Sequence, residues 1–265
     1  MELFEMLLLS DGALSLLDVC SGAAAAWSFR LLKSDYTGYC CEVRRSSDNA
    51  TQNIGFVNGM IDAVSLLAFV GSGNGFVRTM YDQSGNGNNA QRTTNSKQPR
   101  IVSSGALVLG SNGKVALTYD NNAISLQFTE ITNIRSVFWC INPYSLTNQI
   151  VFLLGDTSSY DFHGNDNSTY FANDGVIMYP APLYRNGVQI YYTSSNNEDK
   201  INSLQILSVF PTTNKKANCI TEDRNFGVRS LDGTAVFQEL IIYSSDKSAN
   251  RVDVESNMNA YYNVF

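Results

Sequence analysis

The sequence predicts an all-β fold, an antiparallel sandwich closed by a C-terminal helix. Three observations carry this. Turn pairs recur at Asn58-Gly59, Asn86-Gly87, Asn112-Gly113, Asp174-Gly175, Asn186-Gly187 and Asp232-Gly233, and each supplies the positive-φ residues that tight hairpins need. Between them lie short runs of β-branched and aromatic residues, while helical periodicity is confined to a few stretches. Composition agrees: of 265 residues only 16% are charged, while 28 are Asn and 29 are Ser, as a turn-dense chain requires.

In chain order, Met1–Val19 is apolar, yet it carries Glu2 and Glu5 where a secretory leader needs Lys or Arg. Residues 1–20 are therefore expected to form a short helical or extended docking arm, with a single domain over 21–265. Ala23–Leu32 (AAAAWSFRLL) reads as helix on propensity. Asp62–Val70 reads as a helix capped by Asp62 and stopped by Gly71. The expected strands are Lys114–Tyr119, Arg135–Ile141, Gln149–Leu154, Val188–Tyr192, Leu204–Phe210 and Ala235–Tyr243. Ala249–Tyr262 closes the chain as a helix with Val254, Met258, Tyr261 and Tyr262 on one face. No linker or internal repeat divides the domain. No run approaches the roughly 18–20 apolar residues that span a bilayer, so membrane insertion is not expected.

Several function classes fall away on composition. A net charge of −6 and a pI near 4.8 without a basic run argue against nucleic-acid binding. The one histidine, His163, cannot build a three-His zinc site, and its loop Asp161–Asn167 lacks a nucleophile motif. The five cysteines, Cys20, Cys40, Cys41, Cys140 and Cys219, are odd in number and include no C-x-x-C pair. They are expected to be reduced and buried, with Cys40 and Cys41 on opposite strand faces.

The polar loop Tyr81–Asn89 (YDQSGNGNN) is the first candidate site. Asp82, Gln83, Asn86 and Asn88 could present amides and carboxylates to sugar hydroxyls, or gather oxygens around calcium. They could equally bond their own backbone as Asx-turns. Asp156, Asp161, Asp166 and Asp174 surround His163 and could form a calcium or sugar site, with loop solvation the default reading. No other cofactor is expected, and metal ligands are left unassigned. Tyr160, Tyr170 and Tyr184 are the candidate sugar-stacking tyrosines, whereas Trp27 and Trp139 read as core. Arg44 and Arg45 alternate on a strand, and an internal salt bridge with Asp48 or Asp82 is expected for the inward one. Of eight glutamates, Glu42 and Glu239 lie in strands. Nothing in their spacing marks the facing pair that a glycosidase needs, so no catalytic residue is assigned.

Ser21–Phe56, Leu66–Gln91 and Phe237–Val264 together carry a family resemblance, through VRRSSD, YDQSGNGN and IIYSSD. They resemble the concanavalin A-like lectin/glucanase jelly-roll sandwich of phage head- and tail-fibre proteins. The hairpin Leu183–Tyr192 is similar to that of laminin-G-like sandwiches. The layout is also similar to the catalytic domain of α-L-arabinofuranosidases, with a departure. That family carries a mid-domain nucleophilic glutamate after adjacent cysteines, and here Gln149–Gly187 holds no glutamate.

The resemblance implies a virion fibre or adhesion module, made in host cytoplasm and without enzymatic activity. Its partners would be a cell-surface glycan and, through the N-terminal arm, other virion proteins, in a homo-oligomer with a trimer favoured. A ligand-free decoration protein and an arabinofuranosidase-type glycoside hydrolase are the alternatives.

Overall fold

The apolar run around Trp139 shows no alternation because its strand is covered on both faces. From Ser136 to Asn142 every residue is buried. Val137, Trp139 and Ile141 enter one hydrophobic cluster and Phe138 and Cys140 a second. The architecture follows from this pair of cores.

The computed structural model describes residues 15–119, 124–143, 152–155, 162–163, 182–190, 203–221 and 235–265. The elements begin with α1 (Leu16–Val19), β1 (Ala23–Ser28), β2 (Cys41–Arg45), β3 (Thr51–Ile54), β4 (Phe56–Val57), β5 (Met60–Ile61), α2 (Ala63–Val70) and β6 (Gly75–Met80). There follow β7 (Ala90–Gln91), β8 (Arg100–Ser103), β9 (Ala106–Leu107), β10 (Leu117–Thr118), β11 (Leu126–Ile134) and β12 (Ser136–Asn142). The remainder comprises β13 (Phe152–Gly155), β14 (Phe162–His163), β15 (Leu183–Arg185), β16 (Val188–Ile190), β17 (Gln205–Val209), β18 (Lys215–Ile220), β19 (Val236–Tyr243) and α3 (Arg251–Tyr262).

One layer runs β1–β19–β12–β17–β15–β16 and the other β3–β2–β6–β7–β11–β18–β13–β14. β10 pairs with both β19 and β8, so hydrogen bonding passes from one layer to the other. The main core, with Trp27, Val43, Val77, Trp139 and Leu240, fills the space between them. A second cluster lies on the far face of the first layer, where Val254, Met258 and Tyr262 of α3 and Leu16 and Leu17 of α1 cover Ala26, Phe138 and Ile241. The fold is thus a β-sandwich with a C-terminal helix.

Ala23–Leu32 departs from its expected helix. Residues 23–28 form β1, paired with β19 over Ala23–Ser28. Alanine favours helix locally, but here Ala25 and Trp27 feed the main core while Ala23 and Ala26 fit beneath the outer helices. Burial on two faces overrides propensity. The capped helix forms as expected: Asp62 accepts from Ser65 N at 2.9 Å, and Gly71 ends α2 at φ 66°. Asn58-Gly59 and Asn186-Gly187 both adopt positive φ in two-residue hairpins. Asp174-Gly175 and Asp232-Gly233 lie outside the described residues.

All five cysteines are buried and free. Cys40 and Cys41 do not divide between two faces. β2 starts at Cys41, and both residues enter the main core. Arg45 forms a two-point ion pair with Asp48, at 2.7 and 2.8 Å. Arg44 bonds Gln98, Asn49 and the Asn95 carbonyl. No helix among the described residues is long and apolar enough to cross a membrane.

Candidate functional site

The loop after β6 is built on β1. Among the described residues β1 has a single ladder partner, β19, and its other edge would expose backbone groups. The loop covers that edge with side chains. The Asp82 carboxylate accepts from the backbone N–H of Ala26 (2.8 Å), Ser84 (2.9 Å) and Asn88 (3.0 Å) and from the Ser84 hydroxyl (2.7 Å). Gln83 donates to the carbonyls of Ser28 and Arg30 and accepts from Leu32 N. Asn86 and Asn88 donate to the carbonyls of Ala23 and Ala24, each at 2.8 Å. Trp27 closes the arrangement by donating to Asn88 O. Gly85 and Gly87, at φ 92° and 73°, make the reversal that lets one loop reach back so often.

Asp82 and Gln83 are therefore buried and engaged with backbone of the same chain. Asn86 and Asn88 line an open groove of about 480 Å³. One wall is Asn86, Asn88 and the start of β1 at Ala23 and Ala24. Glu130 and Asn133 of β11 stand on the other, with Ser244 donating to Asn133 Oδ1 at 2.9 Å. Amides, hydroxyls and one carboxylate facing a shallow groove suit sugar hydroxyls. Glu130 and Asn133 were not singled out by the sequence, because it is long-range contacts, the pairing of β11 with β7 at Gln127–Gln91 and the Ser244–Asn133 bond, that bring β11 to the groove.

The other candidates lie apart. Tyr184 does not line the groove. Its ring packs on Phe210 and lies 4.0 Å from the Arg251 guanidinium carbon. Tyr160 and Tyr170 lie outside the described residues, as do Asp156, Asp161, Asp166 and Asp174. Among the described residues no three His, Cys, Asp or Glu side chains come together to hold a metal. Trp27 and Trp139 are fully buried.

Neither strand glutamate lines the groove. Glu239 is fully buried, bonded by Arg30, Ser28 and Tyr262. Glu42 is partly exposed on the outer face of β2, where a β-bulge determines its surroundings. Glu42 pairs with Thr79 and Val43 with Val77, so Arg78 is the extra residue. The bulge brings the Arg78 guanidinium to both Glu42 oxygens at 3.0 Å and the Thr79 hydroxyl to 3.2 Å.

A β-sandwich with a polar groove beside a Gly/Asn loop is the class that fold and site define. The catalytic-domain model of α-L-arabinofuranosidase B matches residues 19–128, under half of the chain. A crystal structure of an arabinofuranosidase complexed with arabinofuranosyl-α-1,2-xylobiose superposes at TM-score 0.58 and 17% identity, over 94% of this chain and 65% of that one. A glutamate-to-glutamine mutant of a GH54 α-L-arabinofuranosidase, soaked with 4-nitrophenyl α-L-arabinofuranoside, gives 0.54 and 16%, over 93% and 64%. This chain thus spans just under two thirds of the length of those proteins. No curated protein matches it.

These findings correct the expected function. The family model and the solved neighbours are arabinofuranosidases, not phage fibres. With the fibre family go the adhesion role, the virion location, the virion partners of the N-terminal arm and the trimer. Leu16, Leu17 and Cys20 instead pack into the domain's own second core. The expectation of a non-enzyme falls as well, since the matching family model is that of a catalytic domain.

Proposed function

We propose that this chain is a glycoside hydrolase domain of the arabinofuranosidase type, acting on α-L-arabinofuranosyl groups that decorate a xylan-like backbone. The observation that carries the reading is the family match over residues 19–128. It spans β1, the bulged β2–β6 pair and the loop that forms one wall of the groove. Similarity of fold over 94% of the chain supports it.

Hydrolysis of a glycoside needs two carboxyl groups flanking the bond, about 5 Å or about 6.5–9.5 Å apart. Glu130 is the carboxylate among the groove residues, while Glu239 is sealed in the core. Among the other acidic residues, Asp156, Asp161, Asp166 and Asp174 are the first to search for a partner. The test is release of 4-nitrophenol from 4-nitrophenyl α-L-arabinofuranoside by the full chain, then by amide variants at those five positions. Release that falls about a thousandfold in two variants identifies the pair. No release by the unaltered, folded chain overturns the reading.

A further inference from the structure

A group of aromatic rings reaches the surface outside the groove, exposed at Tyr39 and half-buried at Tyr36, Tyr81 and Phe56, the last packed against the main core. Phe56 packs edge-on to Tyr36, with centroids 6.2 Å apart. The Tyr36 hydroxyl donates to Tyr39 O at 2.9 Å, and the Tyr39 ring lies 6.1 Å from that of Tyr81. The Tyr81 hydroxyl in turn donates to Asn53 Oδ1 at 2.8 Å. Tyr39 is 51% exposed, and the hydrogen bonds fix the rings on either side of it. At the Asn53 end, Asn53 and Thr79 both pair with Glu42 across the strands, on the face turned away from the core.

We propose that this strip, Phe56–Tyr36–Tyr39–Tyr81 with Asn53 and Glu42 at its end, binds the backbone of a neutral polysaccharide. Sugar rings have apolar C–H faces that pack on aromatic rings, and hydroxyl rims that need amides and carboxylates. The strip supplies both side by side. Its charge selects a neutral ligand, since the Glu42 carboxylate is balanced by Arg78 at 3.0 Å. The tyrosine rings, whose phenols ordinarily ionise near 10, are uncharged at neutral pH. None of the strip residues lines the groove, but Tyr81 opens the loop whose far half does. A polymer held on the strip would therefore lie beside the loop that shapes the groove.

The choice of probe rests on the arabinofuranosidase reading; the strip itself does not. Soluble arabinoxylan in native affinity electrophoresis tests it, with Tyr39→Ala and Tyr39→Phe compared and thermal melts confirming that both fold. The unaltered chain is expected to be retarded, Tyr39→Ala to lose about tenfold in affinity, and Tyr39→Phe, which keeps the ring, to retain it. Unchanged retardation of Tyr39→Ala, or no retardation of the unaltered chain, overturns the proposal. So does a change in oligomeric state in Tyr39→Ala without a change in arabinoxylan affinity, which would make the strip a protein contact. Hydrolysis of 4-nitrophenyl α-L-arabinofuranoside by the unaltered chain is measured alongside. Tyr39-dependent retardation without hydrolysis sinks the enzymatic reading alone, and hydrolysis without retardation sinks the strip alone.

Discussion

Arg30 and Glu239, 209 residues apart in sequence, are joined by two parallel hydrogen bonds, Nε to Oε2 at 2.8 Å and Nη2 to Oε1 at 2.9 Å. The hydroxyls of Ser28 and Tyr262 also donate to Oε2, at 2.7 and 3.0 Å. Asn257 accepts from the third guanidinium nitrogen. Burial works against the Arg30 charge, but Glu239 outweighs it and holds the guanidinium above its ordinary value. The pair ties β1, β19 and α3 together. Removing one member leaves the other buried and uncompensated, so Glu239→Gln is expected to cost about 3–5 kcal/mol. Urea unfolding monitored by circular dichroism measures this. Arg30→Met with Glu239→Leu should recover much of the loss, because the second charge then needs no partner.

Asp82 fixes the loop through four acceptor contacts. Asn at this position keeps the shape but replaces one acceptor oxygen with a donor group. Asp82→Asn is expected to destabilise by about 1–3 kcal/mol. Faster amide hydrogen exchange at Ala26, Ser84 and Asn88 would localise the effect, and unchanged exchange there would show that the contacts do not hold the loop.

Gly75 opens β6 where no methyl fits. An added Cβ would lie 2.8 Å from Val70 Cγ2, 3.2 Å from Val102 Cβ and 3.3 Å from Val43 Cγ1. Gly75→Ala should therefore cost about 1–3 kcal/mol through overpacking. Adding Val70→Ala removes the nearest atom, and in a double-mutant cycle the second change should cost less than it does alone.

High pH should unfold the domain through its tyrosines. Burial raises the phenols of Tyr119, Tyr243 and Tyr262 and pushes Tyr36 up to about 12. In the unfolded chain they ionise near 10. The unfolded state thus releases protons first, so this stabilisation is complete below about pH 10 and declines as pH rises toward the folded values. For Tyr36 the window is roughly pH 10 to 12. Tyrosinate absorbance from these residues should appear together with the loss of circular dichroism. Appearance at clearly lower pH, with the fold intact, would contradict it.

Sequence periodicity revealed the parts of the fold that one face decides. The stripe Val254–Met258–Tyr262 and the Asp62 cap needed only local rules, and both stand in the structure. β1 did not yield to such rules, because its alanines are small for reasons that lie in α1, α3 and β19. β11 hides its alternation: its register against β18 shifts twice, so the buried residues fall at Leu126, Phe128, Ile131 and Ile134. That irregularity also concealed Glu130 and Asn133. The loop half of the groove was legible from its Asn and Gly residues. The facing half was not, since it depends on strand pairing across the chain. The aromatic strip was missed for a similar reason, as Tyr36, Phe56 and Tyr81 meet only after three strands have paired.

β19 sits between β1 and β12 and also pairs with β10, although it spans residues 236–243 near the end of the sequence. During synthesis, β1 and β12 leave the ribosome with the strand that joins them still unmade. The Ala-rich edge of β1 and the apolar face of β12 must wait for over ninety further residues. Such late closure favours slow folding and leaves apolar strand edges unpaired on the nascent chain until β19 arrives.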